Sequence, residues 1–340
     1  MRASRKLFFA LVFVFPFFSN GCPPPQPSET QQLFDQVWST FDQNYSYFEA
    51  KDIDWDDVRD DYRPLFSQDL SAAVFAERIA EMQQELHDWH VWVRKPTGEY
   101  LGYEGDYDIN YPFTLYGRYT TQGYSTIGDD VIFHAWVGDD DDIAYIVVDT
   151  LDSTAWQSVS DAAIGNLFVT YQDAEGMILD IRANSGGNEN NAIKIASRFT
   201  HSSVIYGYTE TRNGPDHGDF DPLVTKTLAS SAGMHFDGPV VCLIGQRCMS
   251  SAEWFALMMR ACPNVTLMGD WTRGASGNPQ TYSLSNGVTY AVSRWAAYTD
   301  TLDVIEDNGI EPDEYLPAVL SYDDTRDYLL EDAIDFLQIL

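Results

Sequence analysis

The sequence predicts an α/β core entered through an N-terminal helical subdomain. Two textures and their order carry that expectation. Between residues 32 and 86, apolar side chains recur at three- and four-residue steps, first Phe34, Val37, Trp38 and Phe41, then Val74, Phe75, Ile79, Met82 and Leu86, the period of amphipathic helices. From Ile143 onward short apolar runs alternate with helical stretches, a pattern that builds a sheet whose strand ends carry loops. With 44% hydrophobic residues among 340, the chain can bury a large core and is no disordered acidic tail.

Residues 1–22 read as a targeting segment. Arg2, Arg5 and Lys6 precede an apolar run from Leu7 to Phe18, too short to span a bilayer, and Ser19-Asn20-Gly21-Cys22 follows. Small residues before a cysteine resemble a bacterial lipoprotein signal, with Ser19 where leucine is usual. The resemblance implies that Cys22 is lipidated and anchors the protein in the bacterial cell envelope, facing periplasm or exterior. An ordinary cleaved secretion signal with a spare cysteine is the alternative. Residues 23–32, rich in Pro, Gln and Ser, read as a tether. The expected organisation continues with a helical subdomain over 33–95, the core over 96–320 and a C-terminal helix over 321–340.

In the helical subdomain two helices are expected around an aromatic loop, 44–55, whose Tyr45, Tyr47, Phe48 and Trp55 read as packing. Between Gly102 and Asp149, β-like runs at 111–116, 131–137 and Ile143–Val148 suggest a hairpin or small β segment. The core is then expected as strand Ile143–Val148, a helix near 152–171, a strand over 176–181, a helix near 189–199, strand Val240–Ile244 and a helix over 251–261.

Charge excludes one class of partner. A net charge of −32, from 52 acidic against 20 basic residues, repels nucleic acid. The acidic run 139–142 lacks the spaced ligands of a calcium loop and reads as a solvated turn. After Cys22 only Cys242, Cys248 and Cys262 remain, which rules out a disulfide scaffold; either Cys242 and Cys262 pair at one end of a strand-helix unit or all three stay free. No Cys-x-x-Cys or Cys/His cluster has metal spacing, so neither metal nor cofactor is expected.

Two segments carry chemistry. In 176–188 a buried strand runs into Asp180-Ile181-Arg182-Ala183-Asn184-Ser185-Gly186-Gly187-Asn188, and paired glycines before a helix can present free N–H groups to a developing negative charge. In 239–253 a strand leads through a short loop to Ser250-Ser251-Ala252-Glu253. There a hydroxyl sits in the positive end of the helix dipole, although the same residues also read as a reciprocal helix cap.

In this order, roughly 65 residues apart, these segments resemble the tail-specific, C-terminal-processing and tricorn-core serine peptidases. Further matches are Gly269-Asp270-Trp271-Thr272-Arg273-Gly274 and Gly309-Ile310-Glu311-Pro312-Asp313. The resemblance implies a ClpP/crotonase-like spiral core, peptide-bond hydrolysis without a cofactor, Ser250 as nucleophile, and the Ser251 amide with Gly186 or Gly187 as oxyanion donors. Members with a Ser-Lys dyad carry lysine where this chain has Ala275, and neither Lys194 nor Lys226 matches. The tricorn-like branch uses histidine from an Asp-x-His element; Asp88-Trp89-His90 supplies it, making His90 the implied general base, His87 a structural residue one helical turn earlier, and Glu306 the implied orienting carboxylate. Tricorn has a serine where Trp89 stands. Only about 50 residues separate His90 from Ile143, too few for a PDZ module, so the layout resembles PDZ-less members such as the repeats of interphotoreceptor retinoid-binding protein. That relative makes an idle protein binding apolar ligands or peptides in the same cleft the alternative to an enzyme acting on protein or peptide substrates. Oligomeric state leaves no sequence signal.

Overall fold

The computed structural model describes residues 27–340 except 113, 114, 121 and 139; the targeting segment, Cys22 and residues 23–26 of the expected tether lie outside them. Within the tether, Ser28 Oγ accepts the Gln31 amide at 3.0 Å and starts helix Glu29–Asn44, so helix begins earlier than composition indicated. Capped by Asp54 and Ser71, helices Trp55–Tyr62 and Ala72–Gln84 follow, giving three helices among the described residues where two were expected. Their apolar stripes and the loop aromatics Tyr45, Tyr47, Phe48 and Trp55 form one buried cluster.

That cluster is closed by a four-stranded antiparallel sheet ordered Pro279–Ser283, Thr289–Ser293, Trp92–Arg94 and Tyr100–Gly102. Tyr290 and Val292, on one face of their strand, join the helical core, so residues far along the chain complete the N-terminal subdomain across the expected boundary at 95.

The second sheet has seven strands among the described residues, in the order Glu314–Tyr315, Val265–Gly269, Val240–Ile244, Gly176–Asp180, Ile143–Val148, Ile132–Val137 and Ser125–Ile127. The first five run parallel. Every residue of Gly176–Asp180 and Val240–Ile244 is buried, as befits parallel strands covered on both faces. Helices Asp161–Thr170, Glu189–Ala196 and Ser251–Arg260 pack on one face; helix Tyr328–Gln338 packs on the other. The hairpin expected from 131–137 and Ile143–Val148 forms, and with Ser125–Ile127 it makes the antiparallel edge of this sheet. Of the expected strand 111–116, the described residues Tyr111, Pro112, Leu115 and Tyr116 lie in no strand: Pro112 lacks an amide proton, its carbonyl accepts Leu115 N–H, and the short 3-10 helix Tyr116–Arg118 follows. The expected 152–171 helix is split into 3-10 turn Ala155–Ser158 and helix Asp161–Thr170, which Ser160 caps. A third sheet, Trp295–Tyr298, Val204–Thr211 and Val224–Leu228, had no sequence expectation. Cys242, Cys248 and Cys262 are free and buried. No described helix is long and apolar enough to cross a membrane.

Candidate active site

The two motif loops leave adjacent parallel strands. Asp180 stands opposite Leu243, so both loops emerge at the same carboxyl end of the sheet. Below the first loop, the Arg182 guanidinium is fully buried between Asp180 (Nη2 to Oδ2, 2.7 Å) and Asp327 (Nη2 to Oδ2, 2.8 Å), and Asp327 caps the C-terminal helix. Removing one member would strand buried charge, at a cost of about 3–5 kcal/mol. Above it, Asn184 Oδ1 accepts the Gly186 amide at 2.9 Å while its Nδ2 donates to Val148 O at 3.0 Å. Gly186 has φ 98°. A Cβ there would lie 2.8 Å from Ser250 Cβ and 2.7 Å from the Met249 carbonyl oxygen, so only glycine admits this approach of the two loops. Ser251 Oγ, donating to Gly187 O at 2.8 Å, secures it from the other side.

Ser250 stands at the mouth of helix Ser251–Arg260 with φ 57° and ψ −129°, and its side chain caps nothing. A serine in this region carries about 1–3 kcal/mol of strain and persists only because its surroundings impose it. A sharp, strained strand-to-helix turn is how a nucleophilic hydroxyl is lifted above a sheet. Here the surroundings include the Ala275 carbonyl, which accepts Ser250 N–H at 2.7 Å. The capping-box alternative is thereby corrected. Glu253 is fully buried and turns to the neighbouring loop, accepting from Thr272 Oγ1 (2.7 Å), Gly274 N (2.7 Å), Ala275 N (3.0 Å) and Ser276 Oγ (2.7 Å). Burial pushes its pKa up, and these four bonds oppose that shift.

Among the described residues no acceptor receives the amides of Gly187 or Ser251, whereas Asn184 takes that of Gly186. Of the two glycines considered as donors, Gly187 is thus the one with a free amide.

His90 lies in a turn, not on a helix end. The helix stops at Gln84, His87 adopts φ 48°, and Asp88 Oδ1 accepts His90 N–H at 2.7 Å before strand Trp92–Arg94 begins. His87 is exposed and sits against Tyr103, not stacked a turn above His90. The His90 ring is buried, and its Nδ1 has no hydrogen-bond partner. Burial pushes the imidazole below its ordinary pKa; the Asp88 charge opposes this. Trp89 places this turn. Its ring lies 4.2 Å from the Arg273 guanidinium, which also covers Tyr107 at 3.5 Å, while Arg273 N–H and Nε donate to Cys248 O and Gln246 O, both at 2.8 Å. The residue beside His90 therefore docks on the turn leading into Ser250.

Glu306 is also buried. Its Oε2 accepts Ser276 N–H at 3.3 Å, one residue beyond Ala275, and its Oε1 stands 3.2 Å from Lys51 Nζ. Burial and then the Asp88 charge hold this carboxyl well above the ordinary range, against the pull of Lys51. Among the described residues no hydrogen bond joins His90 to Ser250 or Glu306; catalytic hydrogen bonds are commonly longer without substrate. Lys51 had no sequence signal, lying among packing aromatics 39 residues before His90. Lys194 and Lys226 pair with Asp161 and Glu189.

A strained serine at a helix mouth, beside two free amides and above a parallel sheet, has the form of a serine-hydrolase site. The chain belongs to peptidase family S41, whose model matches residues 142–316, just over half of it. Residues 26–84 match the tricorn protease C1 domain. A carboxyl-terminal-processing protease from Synechocystis is 28% identical over 178 residues, covering 52% of this chain and 39% of that protein, so the chain matches about two fifths of this curated relative. The crystal structure of a putative peptidase from Parabacteroides merdae superposes with TM-score 0.81 at 28% identity, over 91% of this chain and 97% of the other. The tricorn protease shares the fold, with TM-score 0.57 at 16% identity over 91% of this chain and 37% of its own.

Proposed function

We propose that the protein is a serine endopeptidase acting through an acyl-enzyme on Ser250. The Ser250 hydroxyl attacks a peptide carbonyl as His90 takes its proton. The C–N bond breaks as that proton passes to the leaving amine, and water, activated in turn by His90, hydrolyses the ester. The Gly187 and Ser251 amides receive the oxyanion, and Glu306 stabilises the imidazolium from within the buried polar cluster. The observation that carries the reading is the strained Ser250 backbone held against Gly186, with a side chain that caps nothing. Ala275 favours histidine over a lysine dyad: its carbonyl touches the Ser250 amide, so the dyad position is beside the nucleophile and bears only a methyl group.

The proposal extends to place and recruitment. Lipidation of Cys22 anchors the protein in the envelope, and substrates reach the cleft without a PDZ module; between strands Tyr100–Gly102 and Ser125–Ile127 the described residues form only one 3-10 turn. Replacing Cys22 by serine would release the protein from membranes. A fluorophosphonate probe tests the chemistry: it labels the wild type and not Ser250→Ala. Absence of labelling in folded wild type defeats the peptidase reading and favours an idle ligand-binding protein.

A further inference from the structure

A buried lysine joins the two catalytic segments. Lys51 Nζ lies 2.6 Å from Asp307 Oδ2, 3.2 Å from Glu306 Oε1 and 3.4 Å from the carbonyl oxygen of His87, three residues before His90. Its side chain is 5% exposed. One ammonium thus spans the loop bearing Glu306 and the turn bearing His90. Asp88, Glu306 and His90 are buried, His90 Nδ1 has no hydrogen-bond partner, and the Tyr45 hydroxyl lies against the Asp88 carboxylate. Two carboxylates in one dry site repel each other and invite protonation unless a cation is fixed beside them.

We propose that Lys51 is a positioning residue of the catalytic site: its ammonium balances the buried Asp88 and Glu306 carboxylates and clamps the His90 turn to the Glu306 loop. The inference rests on the peptidase reading above. The charged groups facing Lys51 are Glu306, Asp88 and Asp307; Tyr45 and Tyr47, from the segment that carries Lys51, lie near Asp88 and Glu306. Burial lowers the Lys51 pKa, but the surrounding carboxylates outweigh burial and raise it, so the lysine stays charged.

The competent site needs neutral His90 and ionised Glu306. Deleting the positive charge makes both groups easier to protonate, so the acid limb of the rate moves to higher pH; one unit of displacement slows the reaction about tenfold on that limb. The test is the pH dependence of fluorophosphonate labelling at Ser250 in wild type, Lys51→Met, Lys51→Gln and Lys51→Arg. The two neutral variants are expected to shift the limb upward and recover rate at alkaline pH, whereas Lys51→Arg keeps the wild-type limb. An unmoved limb in a folded neutral variant overturns the proposal. If the neutral variants do not fold, a displaced limb in folded Lys51→Arg overturns it instead. Wild type that never labels defeats the peptidase reading itself, an outcome distinct from either.

Discussion

The carbonyl oxygen of Ala275 accepts the backbone N–H of Ser250 at 2.7 Å, fixing the Ser250 turn to a loop that Glu253 grips at four points. Three loops thereby converge on one serine: the Gly186 loop by contact, the Ala275 loop by hydrogen bond, and the turn preceding Ser250, on which Arg273 and Trp89 dock.

The identity of the base is tested by kinetics. His90→Ala is expected to abolish turnover, while Lys194→Ala and Lys226→Ala retain it, because both lysines are paired elsewhere. His90 must be neutral to accept a proton, and burial moves its pKa down. The His90 step of the acid limb should therefore lie below the ordinary histidine value of about 6.5, and ionisation of Glu306, whose carboxyl is held well above its ordinary range, adds a second step that Glu306→Gln removes. Near wild-type turnover in His90→Ala would reject the assignment.

Gly186→Ala adds one carbon where there is no room. Its Cβ would press on the Met249 carbonyl and on Ser250 itself, at a φ that disfavours side chains. Stability is expected to fall by about 2–4 kcal/mol. Labelling of Ser250 is expected to slow by on the order of 10²–10³, the scale of losing an oxyanion donor, as the loop withdraws. A thermal melt and a labelling time course read the two effects; full-rate labelling would show that the loop is a bystander.

Glu253→Gln is nearly isosteric yet should be damaging. All four partners of Glu253 donate hydrogen bonds, so an amide NH2 must face a donor and leave buried groups unpaired, at about 1–3 kcal/mol for each unsatisfied group. A denaturation midpoint close to wild type would contradict the account of this loop.

Much of this was legible in the sequence where local pattern and chemistry agree. The helical stripes, the buried strands Gly176–Asp180 and Val240–Ile244, and the alternation around them follow periodicities that residues impose on their own neighbourhood. What escaped is non-local. Strands Pro279–Ser283 and Thr289–Ser293 are defined by pairing and by the helical core they cover, and their period is too short to announce it. Glu253 looked like a helix cap because the Ser-x-x-Glu spacing is the same for both roles; only the arrival of residues 272–276 separates them. Lys51 reaches Asp307 across 256 positions of sequence, a distance no local pattern encodes.

The last prediction concerns Glu306, read as a group that steadies His90 and does not carry the proton. The structure gives it no hydrogen bond to His90; it stands between Lys51 and Ser276 N–H, within the electrostatic reach of Asp88. The proposed action on the imidazolium would therefore be one of charge. Glu306→Gln retains an acceptor for Ser276 N–H and removes the charge, so turnover should fall by on the order of 10², with nucleophile, base and oxyanion amides left in place, against near-complete loss in Ser250→Ala. A group that acts only through His90 has nothing to act on once the imidazole is gone. Adding Glu306→Gln to His90→Ala should then cost little more than His90→Ala by itself. The measurement is a double-mutant cycle on the residual labelling rate, with circular dichroism to establish that each variant is folded. Should the folded double variant lose the full product of the two single effects, Glu306 works independently of His90, and its place in the catalytic unit must be given up.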